Sequence, residues 1–179
     1  MKCIDIIKKT KLDKKLMNNR IARLERVEKR KEIQRLLKLG SVAETVIFEK
    51  LKKEIPKNSL QTIKDNNITN KYSTMDFTYY MNNQPIRDVE HKHRIDIKHD
   101  QYADGLMYGK NKFDYGLERL KEGITHRVYW TCSDGIYYWE LNDPELQKEQ
   151  FEFGKNCNMN IKQSAKDVVY IKCNYLNKM

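Results

Sequence analysis

The chain has 179 residues, 39% hydrophobic and 34% charged, with a formal net charge of +10, which suits one globular domain with a heavily charged surface. No apolar run is long enough to span a bilayer, and Met1 to Lys11 is too interrupted by lysine and aspartate to be a signal peptide. An intracellular location, cytoplasm or nucleus, is therefore expected, with no membrane partner.

The charge is unevenly placed. Residues 1–40 carry 14 Lys/Arg and 5 Asp/Glu, a net of +9, and the remaining residues are close to neutral. No proline precedes Pro56 and no glycine precedes Gly40. Leu12, Leu16, Ile21, Leu24, Val27, Ile33, Leu36 and Leu37 form a narrow apolar stripe, broken by Glu28 and Lys31. This predicts a basic helical extension over 1–39, bent or split in two, rather than a long coiled coil. Such a field attracts polyanions. Arg20, Arg23 and Arg30 are its candidate phosphate contacts, and a solvated charged helix is the plainer alternative.

Gly40-Ser41 then punctuates the chain, with Ser41 as N-cap and Glu44 as its capping-box partner. Val42, Val46, Ile47 and Leu51 give the next helix an apolar face, ending before Pro56. Residues 57–70 read as loop with a short strand near Leu60 to Ile63. Tyr72 to Met81 and Ile86 to Ile95 read as paired strands around an Asn82-Asn83-Gln84-Pro85 turn. Asp100 to Asn111 looks irregular, and Phe113 to Lys121 reads as helix closed by Gly123. His126 to Cys132 and Ile136 to Leu141 flank the Asp134-Gly135 hairpin signal. Asp143-Pro144 predicts a short helix, and Val168 to Cys173 a last strand. The class is α/β with a central mixed sheet flanked by helices. Cys3, Cys132, Cys157 and Cys173 contain no CxxC pair, so reduced thiols are expected rather than zinc.

Asp76 and Glu90-His91-Lys92 carry the chemistry. Glu90 and Lys92 lie two residues apart and share a strand face. A hairpin through residues 82–85 can bring Asp76 alongside Glu90, so that two hard oxygen donors hold Mg²⁺ beside a lysine. Asp88 and Arg94 fall on the same face, as a second ligand and a phosphate contact or as plain surface charge. A metal site built on His91, His93 and His99 is a lesser alternative. Tyr129, Trp130, Tyr137, Tyr138 and Trp139 alternate along strands, half of them for the core and the rest free to stack on bases.

Asp76, the E-x-K run, the preceding Gly40-Ser41-Val42-Ala43-Glu44 and the Lys112-bearing helix together resemble the PD-(D/E)xK nuclease superfamily. The likeness covers about residues 40–141. Met75 stands where that family has proline, and His91 stands where it usually has an apolar residue. The resemblance implies a restriction-endonuclease-like, Holliday-junction-resolvase-like core over residues 40–179. It implies Mg²⁺, or Mn²⁺ in its place, held by Asp76, Glu90 and the backbone carbonyl of His91. Lys92 would orient the attacking water, Glu44 would complete the metal shell or cap its helix, and Lys112 would contact phosphate or orient the site. The expected function is endo- or exonucleolytic cleavage of nucleic acid, DNA foremost, with a homodimer as a further expectation. The competing class is a catalytically inactive nucleic-acid-binding or assembly protein on the same scaffold.

Overall fold

A computed structural model of the chain describes residues 3–70, 73–156 and 166–179. It divides into two compact units, Met1–Val42 and Ala43–Met179.

In the first unit the chain is helical: helix α1 runs Cys3–Glu54 without a break. Gly40 and Ser41 therefore lie inside a helix, and the expected stop and capping box are not there. One interior glycine costs only about 1 kcal/mol relative to alanine. The run Leu36-Leu37-Lys38-Leu39 before it and Ala43-Glu44 after it are strong helix formers, and no proline intervenes. Glu44 thus cannot be a helix cap. In this unit Met17, Ile21, Leu24, Val27, Ile33, Leu36 and Leu37 are exposed.

The second unit is built on a six-stranded sheet in the order β1-β2-β3-β5-β6-β9. Its strands are β1 (Gln61–Asp65), β2 (Phe77–Met81), β3 (Gln84–Arg94), β5 (Thr125–Cys132), β6 (Gly135–Leu141) and β9 (Asn177–Lys178). The β3–β5 pair is parallel and every other pair is antiparallel, so the sheet is mixed. A parallel neighbour requires a crossover. Here it runs through β4 (Leu106–Gly109) and helix α3 (Lys110–Lys121). A second sheet, β4-β8-β7, adds β7 (Phe151–Asn156) and β8 (Lys166–Ile171).

Period-two alternation divides the core between the two faces of the large sheet. On one face Ile47 and Leu51 of α1 cover Phe77, Tyr79, Val89 and Tyr129. On the other, Phe113 of α3 joins Val128, Trp130, Trp139, Leu141, Val169 and Ile171. Gly116 of α3 lies so close to the His126 ring that a Cβ there would come within 2.8 Å of it, which seats the helix directly on β5.

Several expected elements need correction. The β2–β3 turn is the two-residue loop Asn82-Asn83, both at positive φ (51° and 64°), the geometry that matches strand twist and that asparagine tolerates. Gln84 and Pro85 already belong to β3. Strand β2 starts only at Phe77, which leaves Asp76 just outside it. The short strand expected near Leu60 to Ile63 is β1, and the 57–70 stretch adds a one-turn helix α2 (Asn66–Thr69), capped by the Asp65 side chain. Asp100 to Asn111 is not wholly irregular, since it contains β4. Asp143-Pro144 opens a turn, in which Asp143 Oδ1 accepts from the Glu145 and Leu146 amides, and a 3₁₀ turn follows at Lys148–Gln150. Strand β7, which is not among the expected elements, alternates Phe151 and Phe153 about Glu152, sets both rings against Phe113 and pairs with β8.

Candidate active site

The site forms where β2 stops covering β3. Pairing between them begins at Phe77↔Val89, so among the described residues no strand pairs with β3 beyond Val89 on that side. Asp76 takes the vacant place. Its amide donates to the Val89 carbonyl at 3.0 Å, and its Oδ2 accepts from the His91 amide at 2.7 Å. A carboxylate thus satisfies a backbone donor that a longer β2 would have used.

Alternation puts Asp88, Glu90, Lys92 and Arg94 on the α3 face of β3, and Val89, His91 and His93 on the other. Thr78, two residues after Asp76, bonds Asp88 Oδ1 at 2.7 Å. Asp76 itself stands just outside β2, and its charge and that of Glu90 act on one another. Glu90 is 2% exposed. Lys92 Nζ donates to Glu90 Oε1, and Lys112 Nζ stands 3.2 Å from Glu90 Oε2 while donating to the Thr74 carbonyl. Lys112, in the first turn of α3, so ties Glu90 to the loop that delivers Asp76.

Three carboxylates act on one another here, with Lys92 and Lys112 opposing them. Burial, then repulsion from Asp76, Asp65 and Glu90, pushes Glu44 up to about 7, with Lys92 opposing. Burial and the Glu90 charge also raise Asp76, against the His91 amide, Lys92 and Lys112. Glu90 Oε2 is buried and accepts no hydrogen bond despite the nearby lysine. Two to three desolvated carboxylates with an unfilled acceptor are the donor set a hard divalent ion takes. The carboxylates are spread more widely than a closed cage. Among the described residues one trio of His, Cys, Asp or Glu has its ligand atoms within 4.8 Å of one another, His99, Asp100 and Asp134. There His99 Nδ1 meets Asp134 Oδ2 at 2.7 Å, the His99 amide donates to Asp134 Oδ1, and the His99 ring stacks on Tyr137. These contacts clip the loop after β3 onto the β5–β6 turn.

The histidine alternative does not assemble. His91 points away from Glu90, its Nε2 2.9 Å from Thr131 Oγ1, and burial lowers it to about 4. It is a neutral core histidine, and His99 stands with Asp134 instead. Asp88 is not a surface charge. It is 2% exposed, bonded to Thr78 and ion-paired with Arg119 Nε at 2.7 Å. Sequence reading missed Arg119 because its partner lies 31 residues away on another element. Arg94 is partly buried at the end of β3. Of the aromatics, Tyr129, Trp130, Tyr137 and Trp139 are buried. Tyr138 is the one only partly buried, and the Arg127 guanidinium covers its ring at 4.6 Å, so this set offers no open stacking platform. Arg20, Arg23 and Arg30 belong to the first unit, where Arg23 and Arg30 are exposed. Cys132 and Cys173 are free thiols, whereas Cys157 lies outside the described residues.

No family model matches this chain, and no curated protein or solved structure matches it. Among the described residues no helix is long and apolar enough to cross a membrane.

Proposed function

We propose that the chain is a divalent-metal-dependent nuclease of the PD-(D/E)xK kind, with a restriction-endonuclease-like core, hydrolysing phosphodiester bonds in nucleic acid, DNA foremost. The observation that carries this reading is the carboxylate pair. Asp76 is hooked onto β3 through the His91 amide, close enough to Glu90 for their charges to repel, with Lys92 bonded to Glu90. A structural aspartate has no need of a second, desolvated carboxylate beside it. Repulsion between the two is a cost, and a bound cation removes it.

Asp76 and Glu90 would hold Mg²⁺, or Mn²⁺, together with the His91 carbonyl. On a strand one residue's N–H and C=O share a side, and the His91 N–H already faces Asp76. When bound, the ion supplies Lewis-acid stabilisation of phosphate charge and a water of lowered pKa. Lys92 exchanges its contact with Glu90 for the attacking water and the developing charge on the phosphate, acting as a fixed cation. Lys112 keeps Glu90 and the Thr74 carbonyl in place. Glu44 contributes a third carboxylate, directly or through water.

A second reading has its own support. Glu90 is paired with both Lys92 and Lys112, and a self-neutralised site suits an inactive binding scaffold. One experiment decides between them. Labelled single-stranded, duplex and branched substrates are incubated with Mg²⁺ or Mn²⁺ and resolved on a gel. Cleavage that collapses in Asp76→Asn, Glu90→Gln and Lys92→Ala while binding survives supports the nuclease. Binding without cleavage by the wild type supports the scaffold.

A further inference from the structure

Arg94 differs from the other arginines of the sheet. Arg87 and Arg127 share Glu140, and Arg119 holds Asp88. The Arg94 side chain donates to the His93 carbonyl at 2.9 Å. Among the described residues no carboxylate lies within ion-pair distance of it, and burial draws its guanidinium below the usual value with only Cys132 opposing. A partly buried guanidinium without a counterion is costly. It sits two residues beyond Lys92 on the same strand face, where an anion from outside the chain would satisfy it.

Two cavities meet at Arg94 and Met107. One, of about 620 Å³, passes Lys92, Tyr108, Lys110 and Asn111, with Asp114 and Asp167 among its walls, and so includes the catalytic lysine of the proposed site. The other, of about 390 Å³, is lined by Ile97, Tyr102, Leu106 and Tyr170 besides Arg94 and Met107, with Asp104 among its walls. The second is built by the small sheet. Register Met107↔Tyr170 sets those two side chains next to each other. Gly105, at φ +99°, has no room for a Cβ against the Ile171 carbonyl, which fixes the loop carrying Tyr102 and Asp104.

We propose that this second cavity receives the base of an unpaired nucleotide whose phosphate rests on Arg94, next along the strand from the phosphodiester cleaved beside Lys92. The inference rests on the nuclease reading and adds its substrate class: single-stranded nucleic acid, or an unpaired end or flap. Aromatic and apolar walls accept a base face without regard to sequence. Asp104 repels a second phosphate but can accept a hydrogen bond from a base amino group. A base stacked and paired inside a duplex cannot lie between the walls of this cleft without being extruded, so the cleft selects strands already open.

The test measures binding without divalent metal, so that cleavage plays no part. Full-length protein is titrated at about 150 mM salt, where non-specific phosphate contacts are weakened. Three fluorescein-labelled probes are used: a 12-nucleotide single strand, a 12-nucleotide sugar–phosphate strand lacking bases, and a 12-base-pair duplex. The single strand should bind about tenfold more tightly than the other two, the range expected for base–aromatic stacking. Tyr102→Ala and Tyr170→Ala should abolish that advantage and leave the base-free strand unchanged. Arg94→Gln should weaken the single strand and the base-free strand alike. Tyr102 is 53% exposed, so its variant keeps the fold even if Tyr170→Ala, whose ring lies against Gly154, does not. Equal affinity for base-bearing and base-free strands, duplex binding as tight as single-strand binding, or an unchanged preference in Tyr102→Ala would overturn the proposal. The nuclease reading fails separately, if no probe is cut with Mg²⁺ or Mn²⁺ whatever its binding preference.

Discussion

Glu44→Gln should stabilise the metal-free protein at pH 8. Glu44 is half-buried on α1, facing Asp76, Asp65 and Glu90 with Lys92 as the one opposing charge, and its carboxyl is pushed up to about 7. The ordinary glutamate value is 4.5, so the charged form is disfavoured by roughly 2.5 units, or about 3.4 kcal/mol at 1.36 kcal/mol per unit. Solvent screening at a half-exposed group reduces this to about 1.5 kcal/mol. The folded value exceeds the unfolded one, so the cost is absent below the unfolded value of 4.5 and complete above the folded value of about 7. Glutamine keeps the shape and carries no charge. The variant should therefore match wild type near pH 4 and melt about 3–6 °C higher at pH 8. Differential scanning calorimetry over that pH range reads it directly. Added Mg²⁺ should raise the wild type more than the variant and narrow the gap, since an ion bound only by the folded state stabilises it by mass action. Equal or lower stability of Glu44→Gln at pH 8 would show that the carboxylates do not repel one another. It would remove the electrostatic argument for a cation there.

Two further outcomes are expected. Deleting residues 1–39 should lower affinity for nucleic acid and flatten the log–log salt dependence, which runs at about −0.9 per phosphate contact on duplex DNA. A changed mass in solution with an unchanged slope would instead make the exposed Met17, Ile21 and Leu24 a self-association surface. His126 is fully buried with both ring nitrogens unpartnered, and burial, helped by Lys112, lowers it from 6.5 to about 4. A depressed folded value means that stability is present above the unfolded 6.5 and is lost as pH falls through 4. His126→Met should therefore unfold with a denaturant midpoint less sensitive to pH across that window, by about one proton, or ~1.4 kcal/mol per pH unit; an identical pH slope would place the wild-type loss on other groups.

The sequence alone determined what depends on neighbours along the chain. Alternation along Asp88 to Arg94 put Glu90 and Lys92 on one face, and the asparagines at 82–83 closed the hairpin that carries Asp76 toward them. The basic charge of residues 1–40 is likewise legible without any fold. What the sequence misplaced was decided by competition over distance. Gly40 did not stop α1, because a cost of about 1 kcal/mol is small against the helix formers on both sides. Asp88 reads as a surface charge until Thr78 and Arg119, from β2 and α3, bury it. Lys112 could have faced solvent or phosphate, and only the crossover from β3 through α3 to β5 brings it to Glu90. The pocket beside Arg94 was invisible for the same reason. Its walls come from the loop after β3, from β4 and from β8, and β7, with only Phe151 and Phe153 to mark it, is placed by the ladder with β8 and by Phe113 of α3, elements distant in the chain.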